Sequence, residues 1–404
     1  MIPKEWDVKK LKDIAEIKYG KGISQNKGNI PVIGSGGTYS FVYKPLVSFP
    51  TIIIGRKGTA GKVWLSEIPC WPSDTTFYLI WKRKEISYYF IYLFLTLNPL
   101  SGEHAKTTLP SVQKADLENI EIPIPPFPEQ RAIAQVLRTV QEAREKTEAV
   151  IEATKALKKA MMKHLFTYGP VPLEEVAKVP LKETEIGLVP EGWEVVHLAQ
   201  LFNIKHGYSF KGEFFGSVGK YVVLTPGHFK EEGGFKDQKE KTKFYTIEPH
   251  YGYLLKRGDL LVAMTEQSPG LLGSSIIIPE SNKYLHNQRL GLIHNIDTSR
   301  LDKEFLFFFF NLKIIRKSIF QTASGLKVKH TSPGKIRALH IALPSLQVQQ
   351  QIVHLLQTID QKLIAEESHR QALDALFKTL LRDLMTAKIR VKFSSSSGKE
   401  LDIK

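Results

Sequence analysis

A chain of 404 residues, 42% of them hydrophobic, has apolar surface enough for two or three domains with their own cores, and its single cysteine, Cys70, excludes a disulfide framework or a cysteine-ligated zinc site. No apolar run reaches the roughly 18 residues of a membrane span, and Met1-Ile-Pro-Lys-Glu-Trp6 lacks a signal-peptide core, so a soluble protein of a reducing cytoplasm is expected. Lys and Arg number 56 against 41 Asp and Glu, a net charge of +15 that is spread along the chain rather than held in a tail, which favours a polyanion such as nucleic acid as partner.

The first segment, Ile2-Pro-Lys-Glu-Trp6-Asp-Val8-Lys-Lys-Leu11, returns as Val189-Pro-Glu-Gly-Trp193-Glu-Val195-Val-His-Leu198. Pro3/Pro190, Trp6/Trp193, Ile17/Ile204, Lys18/Lys205 and Gly20/Gly207 pair at one offset, 187. Toward the end of each copy Ile124-Pro125-Pro-Phe127 leads to Gln130 and Ile133 as Leu343-Pro344-Ser-Leu346 leads to Gln349 and Ile352, at an offset of 219. The chain is therefore one unit written twice, the second copy 32 residues longer in its interior.

After its Trp segment the first copy runs through short β-branched and aromatic pieces between Gly and Pro: Pro31–Ile33, Thr51–Ile54, Lys62–Leu65 and Phe77–Trp81. The second has Tyr221–Leu224, Asp259–Ala263, Ser275–Ile278 and Leu290–Ile293. Such runs predict a mixed sheet, and an aromatic helix follows in each copy, over Tyr88–Leu97 and Glu304–Ile315. From Pro128 to about Phe166 there is no Gly or Pro, and Tyr168-Gly169-Pro170 ends the segment, which predicts one long helix. Ile133, Leu137, Val140, Thr147, Val150, Leu157, Met161 and Leu165 follow a seven-residue pattern, echoed by Ile352, Leu355, Ile359, Leu363, Leu376, Leu380 and Leu384. Neither stripe is buried alone, so the two helices are expected to pack on each other, antiparallel if the copies are related by a pseudo-two-fold axis.

The expected fold class is thus α+β: two pseudo-two-fold-related mixed α/β domains separated by two long helices that form an antiparallel coiled coil. The boundaries read as a first domain over 1–125, a helix over 126–168, a second domain over 169–345, a second helix over 346–388 and a disordered tail over 389–404.

Catalytic signatures are missing. Gly55-Arg-Lys-Gly-Thr-Ala-Gly61-Lys62-Val63 departs from a phosphate-binding loop in spacing and has Val63 where a Ser or Thr must reach Mg²⁺. Ile124-Pro-Pro-Phe127 has no side-chain acceptor at its first position for a target amine, and the twelve histidines show no metal spacing. No cofactor, metal or catalytic residue is expected.

Polar, basic loops remain. In the first copy they carry Lys21, Gln25, Asn26, Lys27, Ser35, Tyr39, Arg56, Lys57, Lys106, Thr107 and Thr108. In the second they carry Lys205, Tyr208, Lys211, His228, Gln267, Asn287, Gln288, Arg289, Lys327, Lys329 and His330. Arg and Lys pair with guanine and Asn and Gln with adenine, while glycines allow close approach to a backbone, so these are candidate DNA-contacting residues. The histidines among them read as surface or loop residues.

Duplicated globular regions, each opening on Pro-x-x-Trp and each ending in an Ile/Leu-Pro lead-in to a long helix with an early Gln, resemble the DNA-specificity subunit of type I restriction-modification systems. The stretch Ile124-Pro-Pro-Phe127-Pro-Glu129-Gln130-Arg131-Ala-Ile133 is the most characteristic, and Val348-Gln349-Gln350-Gln351 departs from it in the second copy. The resemblance implies two target-recognition domains, each reading half of a split, asymmetric sequence in double-stranded DNA. It also implies a helical spacer that docks two methylation subunits, to which restriction-translocation subunits are added; the S-adenosylmethionine and the adenine chemistry would belong to those partners. A self-contained methyltransferase or nuclease, and a non-specific coiled-coil scaffold, stand as the alternatives.

Overall fold

A computed structural model describes residues 3–23, 27–98, 100, 111–266, 270–392 and 402–403. The chain falls into two compact units, Met1–Val150 with Glu366–Lys404, and Ile151–Ala365. Among the described residues no helix is long and apolar enough to cross a membrane.

In the first unit the apolar run Thr51–Gly55 is buried along its whole length, as a strand covered on both faces must be. It is the third strand of an antiparallel sheet ordered Ala15–Tyr19, Thr76–Trp81, Thr51–Gly55, Val63–Ser66. Ala15–Tyr19 instead alternates, with Ala15 and Ile17 inside and Glu16 and Lys18 outside. The helix Tyr88–Leu97 starts at Ser87, whose Oγ accepts the Phe90 N–H at 3.3 Å, and Phe90, Ile91 and Phe94 join the core of that sheet. A second sheet is ordered Gly37–Val42, Ile30–Gly34, Trp71–Pro72, its last pair parallel.

The second unit repeats this plan. Its antiparallel sheet is ordered Asn203–His206, Leu290–His294, Leu260–Ala263, Ser275–Ile277, and the copies of Ile17 and Leu79, Ile204 and Ile293, are again partners. Its second sheet places Tyr221–Val223 beside Phe244–Tyr245 and, in parallel, beside Tyr284–Leu285, as Ile30–Gly34 lies between Gly37–Val42 and Trp71–Pro72. Much of the extra length enters here. Where Ser35 and Gly36 turn the first hairpin, residues 224–243 join the corresponding strands of the second.

One expected element is divided. The helix predicted over Glu304–Ile315 is two helices, Lys303–Phe310 and Lys313–Gln321. Asn311 causes the break: its Oδ1 accepts the Ser275 N–H at 3.1 Å, and its Nδ2 donates to Ser275 Oγ and Phe307 O, both at 2.9 Å. An amide committed to a neighbouring strand terminates the helix more firmly than its apolar periodicity continues it.

Each copy closes its ends on itself. Asp7–Lys10 pairs antiparallel with Glu121–Ile124, Asp7 opposite Ile124, and Glu194–His197 pairs with His340–Leu343, Glu194 opposite Leu343. The long helices Phe127–Tyr168 and Leu346–Met385 follow directly. Gln130 is buried near the start of the first; its Nε2 donates to Pro125 O at 2.9 Å and its Oε1 accepts the Ser87 N–H at 2.9 Å. Gln349 does the same in the second, donating to Pro344 O and accepting the Asp302 N–H, both at 2.8 Å.

Within each unit the two long helices run antiparallel. In the first, Arg144 Nε donates to Asp374 Oδ1 at 2.6 Å, and four residues further on Glu148 lies 3.3 Å from Arg370, four residues back. In the second, Lys158 pairs with Asp360, and Met162 and Leu165 share a core with Ile352, Val353 and Leu356. The seven-residue stripe is only partly buried: Ile133, Leu137, Leu165 and Ile352 are enclosed, whereas Leu157, Leu355 and Leu376 keep 52%, 39% and 45% of their surface. The start of the expected disordered tail is ordered. Ile389 and Val391 pack on the first unit's core, and the Arg390 guanidinium holds both oxygens of the buried Glu129 carboxylate, at 2.6 and 2.9 Å, while Trp6 Nε1 donates to it at 3.2 Å.

Gln130→Leu keeps the side chain's bulk but strands the Ser87 N–H and the Pro125 carbonyl. Urea unfolding should show a loss of about 2–4 kcal/mol, one to two unpaired buried groups; a loss near zero would mean that water replaces the amide.

Candidate nucleic-acid interface

The candidate residues of the first unit are organised around the turn Ser73–Thr75. Gly20 lies so close to it that an added Cβ would stand 2.0 Å from Ser73 O, so only glycine fits. Gly20 N donates to Thr76 O and Lys21 N to Pro72 O, both at 3.0 Å, and Trp71 Nε1 donates to Lys21 O at 2.8 Å. The backbone of Lys21 is fixed while its side chain stays exposed. Arg56 follows the central strand: its N–H donates to Thr75 O at 2.8 Å, its Nη2 donates to Asp74 O at 2.9 Å, and its guanidinium lies over the Tyr19 ring at 5.4 Å. Arg56 Nε is buried without a partner among the described residues, and Lys57 beside it is exposed. Ser35 joins through its N–H, which donates to Thr75 Oγ1 at 3.4 Å. Tyr39, 60% exposed, packs its ring on Gly34.

The second unit builds the same corner from different residues. A Cβ on Gly207 would stand 2.0 Å from Asn287 O; Tyr208 N donates to His286 O at 2.8 Å, as Lys21 N does to Pro72 O. Asn287, Gln288 and Arg289 occupy the place of Ser73, Asp74 and Thr75, and Met264 N donates to Arg289 O at 2.9 Å as Arg56 N does to Thr75 O. Thr265 then pairs with His330, and Lys57 with Ser111, across the same gap. Asn287 Oδ1 accepts the Arg289 N–H at 3.0 Å, which holds the turn, and Gln288 and Arg289 are exposed. Tyr208 stands among Phe210, Tyr253 and His250, with ring centroids 5.1, 5.2 and 5.7 Å away.

These corners gather Lys21, Ser35, Tyr39, Arg56 and Lys57 in one unit and Tyr208, Asn287, Gln288, Arg289 and His330 in the other. Lys27 sits at the opposite end of its hairpin, next to Gly28 against Val42 and Tyr43. Lys205 is turned back, Nζ donating to Gly252 O at 2.7 Å over the Tyr253 ring. Lys211 is exposed, 3.7 Å from Glu213; Lys327 is exposed on the Ser324–His330 loop, and Lys329 lies over Phe320. Gln25, Asn26, Lys106, Thr107, Thr108 and Gln267 lie outside the described residues. His228, expected at the surface or in a loop, lies on a turn, Pro226–His228, but is only 3% exposed, and burial lowers its pKa.

Known proteins resemble this chain over nearly its whole length. The model of the type I restriction modification DNA specificity domain matches residues 3–153 and 190–374, once over each copy. The chain belongs to this family. The MjaVIII type I restriction enzyme specificity subunit of Methanocaldococcus jannaschii is 26% identical, over 97% of this chain and 94% of that one. The specificity subunit S.HindORF215P of Haemophilus influenzae, a putative type I enzyme component, is 24% identical over 87% and 86%. In fold the chain is similar to the S subunit of a type-I system from M. genitalium, with a TM-score of 0.61, 18% identity and 95% and 96% coverage. As a member of a specificity family, the protein is a DNA-binding, non-catalytic component of a type I system.

Sequence reading passed over the turn Ser73–Thr75, because it matches Asn287–Arg289 at neither of the two offsets seen in the chain. It also passed over Trp64 and Lys62, whose Nζ lies 4.3 Å above that indole. Glu266, in a candidate loop, is structural: its Oε2 accepts the N–H groups of Gly270, Leu271 and Leu272 at 3.1, 2.9 and 2.8 Å.

His286, behind the Asn287 turn, donates from Nε2 to Leu290 O at 2.9 Å, and burial lowers its pKa to about 4. The unfolded chain takes up this proton below about pH 6.5 and the folded one does not, so its stabilising effect is complete above pH 6.5 and is lost as pH falls toward 4. The loss should reach about 3 kcal/mol, seen in urea unfolding at pH 7 and pH 4.5; His286→Gln should flatten that slope.

Proposed function

We propose that each unit reads one half of a bipartite, asymmetric sequence in double-stranded DNA. The observation that carries this reading is the shared corner: the same backbone scaffold, fixed by Gly20 in one unit and Gly207 in the other, presents Lys21, Arg56 and Lys57 in the first and Tyr208, Asn287, Gln288 and Arg289 in the second. A constant frame with different exposed donors is what two different half-sites require. The net charge of +15 supplies the sequence-independent attraction. The long helices set the distance between half-sites and dock two methylation subunits, with restriction-translocation subunits joining that core. Leu157, Leu355, Ile364 and Leu376, exposed on these helices, support the docking role. Cofactor and methyl transfer belong to the partners, and the assembly works in the cytoplasm.

Selection of bound duplexes from a random library, with the methylation subunits present, should return two short conserved blocks around a gap of fixed length. A single block, or none, would count against the reading. Arg56→Ala should weaken binding about 10–100-fold and relax one position of one block, whereas Lys57→Ala should lower affinity across sequences and reduce the salt dependence.

Matched insertions of about four residues near Ala149 and near His369, one helical turn on each antiparallel helix, should lengthen the gap and leave both blocks unchanged. Altered blocks with an unchanged gap would contradict the division of labour.

A further inference from the structure

The 224–243 segment, where the first copy has a two-residue turn, walls a cavity of about 500 Å³ in the second unit. This volume falls within the roughly 300–1,000 Å³ of small-molecule sites. Phe210 and Phe215 supply aromatic wall, and the far side is the Asn287–Arg289 turn already placed at the candidate interface. Among the described residues the charged groups that line the cavity are Lys241, Lys243 and Arg289, with the Asp237 carboxylate near enough to act on His228. Three cations beside aromatic rings and amides favour a planar, hydrogen-bonding ring that carries an anionic group.

His228, in the wall, adds a chemical requirement. Its Nδ1 accepts the Thr225 N–H at 3.2 Å, which assigns the proton of the neutral ring to Nε2, and Nε2 is buried with no acceptor among the described residues. Burial opposes charging the ring, so the group is a neutral donor in the cavity wall. A buried donor left unpaired is destabilising, and a ligand acceptor would relieve that.

We propose that this cavity is a nucleotide pocket: a base seated between Phe210, Phe215 and the 225–228 turn, hydrogen-bonded by His228 and Asn287, with its phosphate held by Lys241, Lys243 and Arg289. The nucleotide is one unstacked from the bound duplex beside the Asn287 turn, or a free nucleotide; the chemistry is the same for both. Taking one base out of the stack is a known and accessible route for proteins that act on DNA. The duplex form of this assignment rests on the reading above, and the free-nucleotide form does not.

The test uses the full chain. Calorimetric titration with dAMP, dGMP, dCMP, dTMP and inorganic phosphate measures the free form; 2-aminopurine placed at successive positions of the selected duplex measures the unstacked form. Saturable binding of a nucleotide but not of phosphate, or a fluorescence rise at one or two positions, supports the pocket. Either signal should weaken by about tenfold or more in Lys241→Ala/Lys243→Ala, the loss of two charge-assisted contacts, and His228→Phe should weaken it while those exposed lysines remain. Lys241 and Lys243 lie at the surface, so their replacement leaves the core intact. If no nucleotide binds and no position brightens while the duplex is held tightly, the pocket assignment is wrong and the DNA reading stands. If neither nucleotide nor duplex binds, both fail; a nucleotide that binds without duplex affinity keeps the pocket and removes the DNA reading.

Discussion

A buried glutamine at the root of each long helix is the constraint on which the rest of the structure depends. Gln130 and Gln349 each join three parts that the sequence keeps apart: the proline lead-in, the N-cap residue of a short apolar helix and the first turn of the long helix. An amide is suited to this because it donates and accepts at once, and in a buried site both ends must be satisfied. With the Asp7–Lys10 and Glu194–His197 pairings beside them, these bonds fix the direction in which each long helix leaves its sheet. Beyond that frame the copies keep the sheet order but differ in their connections, most of all where residues 224–243 replace a two-residue turn.

The frame was legible in the sequence because it is made of local signals repeated at constant spacing. Trp6 and Trp193, the proline lead-ins and the glutamines recur in register, and the strands Thr51–Gly55 and Leu260–Ala263 announce themselves as short β-branched or aliphatic runs. The long helices follow from an absence of Gly and Pro. What was not legible depended on contacts between distant residues. Nothing near Asn311 in sequence reveals that its amide is taken by Ser275, and nothing near Arg390 reveals the Glu129 carboxylate.

The candidate interface was half legible for the same reason. Residue type singled out Arg56, Lys57 and the Asn287–Arg289 run, polar donors on turns that the structure brings to corresponding corners of the two copies. It says nothing of where the backbone turns a side chain. Lys205 has the right chemistry but spends its ammonium on Gly252 O, and His228 is enclosed by an insertion whose path no spacing encodes. Ser73–Thr75 is unremarkable as a sequence and becomes the hub of its corner only through the close approach of Gly20.

The discontinuous make-up of the first unit has a bearing on how the protein comes into being. Ile151–Ala365 is one uninterrupted stretch, whereas the other unit needs Glu366–Lys404 to complete what Met1–Val150 began, with Leu381, Leu384 and Val391 in its core. On a ribosome, the half translated first is therefore the half finished last: its apolar surface near Leu137 waits uncovered until the closing residues emerge, a window in which nascent chains are prone to aggregate.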